Sequence, residues 1–211
     1  MSNVYLGFDL ETGDLEPCDG DLLTGYFSML DEDFKIIDEL SLQLKPEGRL
    51  PVANPRALAT NGIDLQKHIE DPNTVVYAEG RKKLLAMIDR HLKKKGRYSN
   101  IIPMGYNILT FDIPWAHYHL LDKATWNSKI HYKALDVMQH VDMLKQYGWL
   151  PPSVGNLASA VEFFGVAKGQ AHVARDDILM TVGVLRGIQN LMDSKKNGGS
   201  SQDLISLLEQ E

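Results

Sequence analysis

The chain has 211 residues, of which 44% are hydrophobic and 24% are charged, and its formal net charge is −6. This length and composition are typical of one globular domain with a sizeable core. The acidic balance argues against a broad basic surface that coats nucleic acid, but it is compatible with an enzyme that grips a few phosphates locally. No apolar run approaches about 18 residues. The N-terminus has no signal pattern and Cys18 is the only cysteine, so we expect a cytoplasmic protein without a membrane span.

The first predicted element is a strand within residues 4–13 that ends in two carboxylates. Side chains two apart in a strand point the same way, so Asp9 and Glu11 leave on one face while Phe8 and Leu10 face a core. Neighbouring carboxylates repel each other unless a cation lies between them. The pair indicates either a divalent-metal site or an inward Asp9 beside a solvated Glu11, and D-x-E alone is too short a pattern to decide.

Two further strands are predicted over residues 22–30 and 34–44, and the short turns favour an antiparallel three-strand meander. Pattern and turn signals predict the following elements in chain order: helices near 55–61 and 65–69, an amphipathic helix over 77–95, a strand at 101–106, a helix at 110–122, a strand at 130–135, and helices at 137–146, 153–164 (capped by Ser153) and 174–191. Strands first, and then strands alternating with helices, indicate an α/β fold with a mixed sheet.

The C-terminal segment has a different composition. Residues 193–202 (DSKKNGGSSQ) are typical of a flexible linker, and residues 204–208 of a short apolar helix. We therefore expect one domain over residues 1–193, followed by a linker and a short helix over 194–211. That helix is a candidate contact for a second copy of the chain (a homodimer) or for a polymerase-like partner, and a frayed tail explains it nearly as well.

A basic cluster lies near the end of the helix predicted over residues 77–95: Arg90, Lys93, Lys94, Lys95 and Arg97. Such a cluster could track a nucleic-acid strand. It also stands where cations interact favourably with the C-terminal end of a helix dipole. The position favours a solvated helix end.

Two more acidic signals stand later in the chain. Residues 105–112 read GYNILTFD, which predicts a strand followed by a helix with Asp112 in its first turn. Residues 169–178 read GQAHVARDDI, in which four residues separate His172 from Asp177. Taken alone, each segment favours a simpler explanation, namely a carboxylate at a helix N-terminus for Asp112 and Asp177 and a solvated loop residue for His172.

Taken together, the three segments resemble the motifs of DnaQ-like 3′→5′ exonucleases, in the branch named DEDDh for its four acids and histidine. D-x-E stands near residue 10, N-x-x-x-F-D near 110 and H-x-x-x-x-D near 175, in the family's order. The resemblance implies an RNase H-like fold: a mixed β-sheet, with a three-strand antiparallel meander plus parallel strands, flanked by helices. The acids would converge at one end of this sheet. One departure is Asn61, which lies in a segment where relatives often carry histidine.

The resemblance also implies roles for individual residues. Two Mg²⁺ or Mn²⁺ ions would be held by Asp9, Glu11, Asp112 and Asp177. His172 would accept the proton of the attacking water, a task suited to a group that titrates near neutrality. The four-residue interval from His172 selects Asp177 rather than Asp176. Substrate contacts are expected at Leu10, Thr12, Asn107 and Phe111, although packing is the favoured role of Phe111.

The implied function is that of a metal-dependent 3′→5′ exonuclease that releases nucleoside 5′-monophosphates from single-stranded ends. DNA is favoured over RNA, although no motif reports on the sugar. The alternative within the enzyme class is a ribonuclease or oligonucleotide hydrolase of the same branch. A catalytically silent nucleic-acid-binding module is the alternative outside it, and the intact set of four acids and a histidine argues against that.

Overall fold

A computed structural model describes residues 2–96, 98–169 and 173–196. The strands of these ranges are β1 (Val4–Thr12), β2 (Leu22–Leu30), β3 (Ile36–Lys45), β4 (Thr74–Val76), β5 (Lys94–Lys95), β6 (Tyr98–Ser99), β7 (Ile101–Gly105) and β8 (Leu135–Asp136). Six of them form one sheet in the order β4-β3-β2-β1-β7-β8, and β5 and β6 form a separate hairpin. The pairs β1–β2 and β2–β3 are antiparallel, whereas β4, β7 and β8 join in parallel. The predicted meander with added parallel strands is confirmed.

The helices of the described ranges are α1 (Pro55–Asn61), α2 (Leu65–Glu70), α3 (Tyr77–His91), α4 (Asp112–His119), α5 (Lys123–Lys129), α6 (Val137–Gln146), α7 (Leu157–Phe163) and α8 (Ala174–Lys196). Local sequence explains how the first of them begins and ends. Asn54 caps α1 by accepting the Ala57 N–H at 2.7 Å, and Gly62 ends the helix with a φ of +69°. Within the described ranges, no helix has the length and apolar character needed to cross a membrane.

The sheet separates two apolar clusters. Leu6, Phe8 and Leu10 of β1 belong to the cluster that includes α3 and α4, and the rings of Phe8 and Phe27 stack with centroids 5.6 Å apart. The second cluster includes α6, α7 and α8, and Tyr5 of β1 packs against it. Because side chains alternate along a strand, Asp9 and Glu11 share the face of Tyr5 and lie toward α8.

Gly7 lies where β1 packs against both β2 and α8. A β-carbon at this position would stand too close to β2, 2.9 Å from Leu30 Cδ1 and 3.0 Å from Ser28 Oγ, but at an ordinary contact distance of 3.4 Å from Ile178 Cγ2 of α8. Ile178 directly follows Asp177 in α8, and Gly7 lies two residues before Asp9 in β1. Strand β1 and helix α8 therefore pack together beside the acids that each carries.

The helix predicted over residues 77–95 ends earlier, at His91. Leu92 has an extended backbone with a ψ of 120°, and the chain then turns at Gly96, where φ is +61°. The hairpin of β5 and β6 takes the place of the last predicted helical turn. Of the predicted basic cluster, Arg90 lies in the last turn of α3 as expected, whereas the exposed Lys93 and Lys94 lie beyond the helix, so their placement at a helix end is wrong.

The helix predicted from Ser153 begins at Leu157 because Asn156 provides the cap. The Asn156 side chain accepts the Ser159 N–H at 2.9 Å, and the Ser159 hydroxyl accepts the Asn156 N–H at 3.1 Å. This reciprocal capping box satisfies two backbone donors at once. A start at Ser153 would also place Gly155 in the first turn, where glycine disfavours the helix.

Three other boundaries differ from prediction. The helix predicted over 110–122 is the shorter α4, followed by α5 as a separate helix. Of the strand predicted over 130–135, only its last residue, together with Asp136, pairs with β7. Helix α8 extends to Lys196, past the predicted start of the linker. The rest of the linker and the short C-terminal helix lie outside the described residues, so the division of the chain near residue 193 stays a prediction.

Candidate active site

The predicted carboxylate pair lies at the end of β1 and faces α8. Asp9 and Glu11 are both half-buried. Asp177 lies in the first turn of α8, where its N–H donates to the Val173 carbonyl at 3.1 Å. One carboxylate oxygen from each of the three acids lies within 4.8 Å of the others. Asp176 is not part of this group, so the structure distinguishes the two members of the doublet.

Asp112 reaches the same place from α4. Its side chain is only 4% exposed, and its Oδ1 accepts the Leu10 N–H at 3.0 Å. Strand β7 pairs with β1 from Val4 to Gly7 and then leaves it, so the carboxylate takes the place of a strand partner. The simpler interpretation of Asp112 from sequence is a solvated charge at the start of a helix. This interpretation is wrong, because the carboxylate is buried and hydrogen-bonded to β1.

The acids perturb one another strongly. Burial raises the pKa of Asp9 well above its ordinary value, and the charges of Asp112, Glu11 and Asp177 raise it further. Burial and then the charge of Asp177 raise the pKa of Glu11 to about 7. Burial also raises the pKa of Asp112, against the opposing effect of the Leu10 N–H. Ionised carboxylates held this close favour a bound cation.

The donor set suits a hard divalent cation. Asp9, Glu11 and Asp177 offer carboxylate oxygens, which Mg²⁺, Mn²⁺ and Ca²⁺ prefer over nitrogen or sulfur. The mutual spacing of these oxygens allows one ion to contact all three residues. The electrostatics also favour a bound cation. Burial and the charges of neighbouring acids raise the pKa of Asp9 and Glu11, and a cation would offset the repulsion between these charges.

The acids open into a cavity of about 580 Å³, a volume in the range of small-molecule sites and suited to one nucleotide unit. Its described lining comprises Asp9, Leu10, Glu11, Thr12, Asp14, Leu15, Asn54, Arg56, Ala57, Thr60, Asn61, Tyr106, Asn107, Phe111, Asp112 and Asp177. All four predicted metal ligands therefore border one space.

The four residues predicted to contact substrate also line this cavity. Leu10 and Thr12 have buried side chains, so they present mainly backbone to the space. Phe111 packs against Trp115 with ring centroids 6.2 Å apart, as the favoured packing role requires, while still bordering the cavity. Asn107 accepts a hydrogen bond from the Thr110 hydroxyl.

Asp136 orders the turn that carries Asn107, and sequence reasoning missed this role. Asn107 has a φ of +62°, a conformation that asparagine tolerates better than most residues. The buried Asp136 carboxylate accepts the N–H groups of Asn107 at 3.0 Å and Leu109 at 3.1 Å. It also caps α6 through the Met138 N–H at 3.1 Å. An Asp directly before a predicted helix signals the cap, but the two long-range bonds leave no local pattern.

A second wall of the cavity comes from α1 and the residues after β1. Asn54 donates through its side chain to Asp14 at 2.6 Å, and Asn61 donates to the Thr12 carbonyl at 3.1 Å. Asn61, noted as a departure from relatives, is thus a structural tie in this chain. Arg56 of α1 is the only cation among the described lining residues. Sequence reasoning missed Arg56, because a single arginine in a short helix carries no distinctive pattern.

A buried acid holds the loop that leads to α1. The Asp21 carboxylate accepts an Arg49 N–H at 2.7 Å, the Val52 N–H at 2.7 Å and the Tyr77 hydroxyl at 3.1 Å. Charged, fully bonded groups of this kind are strong and geometrically specific. The loop is therefore fixed to the sheet, and this fixes where α1 meets the cavity. His172, the predicted proton acceptor, lies outside the described residues, and its role stays a prediction.

A mixed sheet with carboxylates at the end of its central strand, flanked by helices on both faces, is the RNase H-like architecture that the motifs imply. No model of a protein family matches the chain, and no curated protein matches its sequence.

Solved structures do match. The zinc-bound complex of E. coli exonuclease I with single-stranded DNA has a TM-score of 0.71 at 17% identity, over 92% of this chain and 42% of that one. Product-bound exonuclease I gives 0.68 at 17% identity, over 92% and 46%. Exonuclease I of Methylocaldum szegediense gives 0.69 at 20% identity, over 89% and 40%. This chain thus spans less than half of each of these proteins. At such identities the likeness concerns the fold alone, and the predicted RNase H-like mixed sheet flanked by helices is confirmed.

Proposed function

We propose that the chain is a metal-dependent 3′→5′ exonuclease that removes nucleoside 5′-monophosphates from the ends of single-stranded DNA. The observation that carries the proposal is the group of Asp9, Glu11 and Asp177, whose oxygens lie within 4.8 Å of one another, with Asp112 on the same cavity. The fold shared with exonuclease I, whose complexes contain single-stranded DNA, supports the choice of substrate.

The four acids would hold two Mg²⁺ or Mn²⁺ ions. Such ions, when bound, neutralise charge on the scissile phosphate and lower the pKa of a coordinated water. The Leu10 N–H donates to Asp112, so the Asp112 carboxylate is already oriented before substrate binds. His172 would accept the proton from the attacking water.

The remaining lining residues suit a strand terminus. The space of about 580 Å³ is large enough for one nucleotide. The backbone of Leu10 and Thr12 would meet the terminal sugar, while Asn107 and Phe111 border the base. Arg56 places one positive charge on an otherwise acidic rim, where it would pair with a phosphate.

Matched, 5′-labelled DNA and RNA strands test the proposal. We expect stepwise shortening of DNA from the 3′ end with Mg²⁺ or Mn²⁺, mononucleotide products, and no shortening with a chelator. Asp177→Asn should abolish turnover, whereas Asp176→Asn, its neighbour in the same turn of α8, should be nearly normal. Faster degradation of RNA would move the proposal to a ribonuclease, and inactivity with both ions and both strands would favour a silent binding module.

A further inference from the structure

A cluster of aromatic rings lies on the surface at the start of β7. His131 and Tyr132 stack with centroids 4.6 Å apart and an interplanar angle of 25°. Tyr98 of the β5–β6 hairpin contacts both rings, each at 5.8 Å between centroids. Tyr132 is 68% exposed and Tyr98 42% exposed, so these rings form a contiguous exposed group rather than isolated surface side chains. We call Tyr98, His131, Tyr132 and Lys133 the aromatic patch.

The aromatic patch is built into the fold rather than carried on a loose loop. The His131 N–H donates to the Ile101 carbonyl at 2.7 Å, which ties the segment to β7. The Lys133 N–H donates to His131 Nδ1 at 3.0 Å, which fixes the imidazole ring. The Ser99 hydroxyl donates to the Lys129 carbonyl at 2.7 Å and holds the hairpin against the end of α5. The rings are therefore preorganised.

Positive charge and open space accompany the rings. Lys133 Nζ lies 5.9 Å from the Tyr132 ring centroid, and the exposed Lys93 and Lys94 lie on the adjoining hairpin segment. A cavity of about 550 Å³ borders Tyr98, His131 and Lys133, and its described lining contains no carboxylate. A chain with a net charge of −6 thus presents an acid-free, ring-lined cavity here.

We propose that the aromatic patch is a second binding site for single-stranded nucleic acid, which holds the strand upstream of its terminus. Stacked aromatic side chains beside cations are how proteins bind single strands without reading sequence, because every base has a face that stacks. Strand β7 starts at the aromatic patch with Ile101 and ends at Gly105, next to the lining residue Tyr106 of the acidic cavity. The two sites are thus at opposite ends of one strand.

The separation of the two sites makes the affinity for a strand depend on the length of that strand. The five residues of β7 rise about 17 Å at about 3.3 Å per residue, a straight distance equal to roughly five stacked nucleotides. Because β7 is buried inside the sheet, a bound strand follows a longer path over the surface and needs more nucleotides than this to reach both sites. A strand of about four nucleotides can occupy only one site, whereas one of about 16 nucleotides can occupy both. The proposal that one strand reaches both sites rests on the proposed function, but binding at the aromatic patch does not.

Binding of fluorescent oligothymidine strands of these two lengths to the full chain, measured by anisotropy with a chelator present, tests the site without hydrolysis. We expect Tyr132→Ala and Tyr98→Ala each to weaken binding of the longer strand roughly tenfold, the loss that removal of one stacked base gives. Tyr132→Phe should bind like the unaltered chain, because stacking needs the ring and not the hydroxyl. Tyr118→Ala removes a ring that is 63% exposed elsewhere and serves as the matched control.

Several results would overturn the proposal. These are unchanged affinity in both tyrosine-to-alanine variants, an equal loss in Tyr118→Ala, or a loss in Lys133→Ala alone, which would leave only attraction between charges. Thermal unfolding of each variant separates loss of binding from loss of structure. A chain that hydrolyses no strand but loses affinity in the Tyr132→Ala variant would refute the proposed function and retain the aromatic patch as a binding site.

Discussion

Replacing Glu11 by glutamine should stabilise the metal-free protein at pH 8 while removing its activity. Burial and Asp177 raise the Glu11 pKa from 4.5 to about 7, so between these values the folded state binds more protons than the unfolded state. Stability of the unaltered chain therefore falls as the pH rises through this window. The shift corresponds to roughly 3 kcal/mol, an upper bound because the side chain is half-buried and partly screened by solvent. Glutamine keeps the shape of the neutral acid and removes this cost.

Urea or thermal unfolding with a chelator, at pH 5 and pH 8, measures the effect. A gain of about 3 kcal/mol raises the melting temperature of a chain of this size by about 6–12 °C, and the gain should be under about 1 kcal/mol at pH 5. Glu162→Gln, at an exposed position of α7, is the control and should change little at either pH. Equal gains at both pH values, or none at pH 8, would refute the account of mutual repulsion.

Addition of a divalent ion completes this test. Mg²⁺ or Mn²⁺ at pH 8 should raise the melting temperature of the unaltered chain, because an ion that binds only the folded state stabilises it by mass action. The rise should shrink strongly in Glu11→Gln, which has lost one ligand and much of the repulsion. A rise of equal size in both proteins would place the ion elsewhere.

Three other variants probe the proposed function. Arg56→Ala should raise KM for single-stranded DNA about tenfold with little change in kcat, and it should make binding less sensitive to salt. Arg81→Ala, which removes an exposed arginine elsewhere, should have neither effect. Steady-state kinetics at two salt concentrations measure both effects. Asp136→Asn should lower stability by about 1–3 kcal/mol in unfolding, and should lower kcat and strand affinity with it, because the turn that carries Asn107 loses an acceptor. His172→Ala should lower kcat by at least about 100-fold with a small change in KM and should remove the rise of kcat with pH near neutrality, and normal kcat would refute the base role.

The convergence of the acids could be predicted because each step depends on local pattern or on motif order. Strand alternation places Asp9 and Glu11 on one face, and the order of the three motifs adds Asp112 and Asp177. The spacing within the third motif also distinguishes Asp177 from Asp176. The interval from His172 selects Asp177, which the structure places beside Asp9 and Glu11. The alternation of side chains along β1 does not predict the distance between β1 and α8, which depends on how the two elements pack in the folded chain.

The parts of the site that sequence did not predict depend on bonds between distant residues. Asp136 contacts a turn 27 to 29 residues earlier in the chain, and Asp21 contacts a residue 56 positions later. The end of α3 is missed for a different reason. The helical spacing of apolar residues continues to Leu92, four residues after Ile88, but the backbone leaves the helix at Leu92 and forms the hairpin. A periodic pattern does not record where a competing strand pair begins.

Much of the net negative charge of the chain comes from the four acids of the cavity. Four of the charges that produce the net value of −6 belong to Asp9, Glu11, Asp112 and Asp177, so the remainder of the chain carries −6 + 4 = −2. The acidity that excludes a broad basic surface is thus concentrated where cations would bind and attract phosphate. Positive charge for the strand comes from Arg56 at the cavity and from Lys133 in the aromatic patch, with the exposed Lys93 and Lys94 beside it. Loss of Arg56 or of Lys133 should therefore weaken DNA binding more than its share of the total charge suggests.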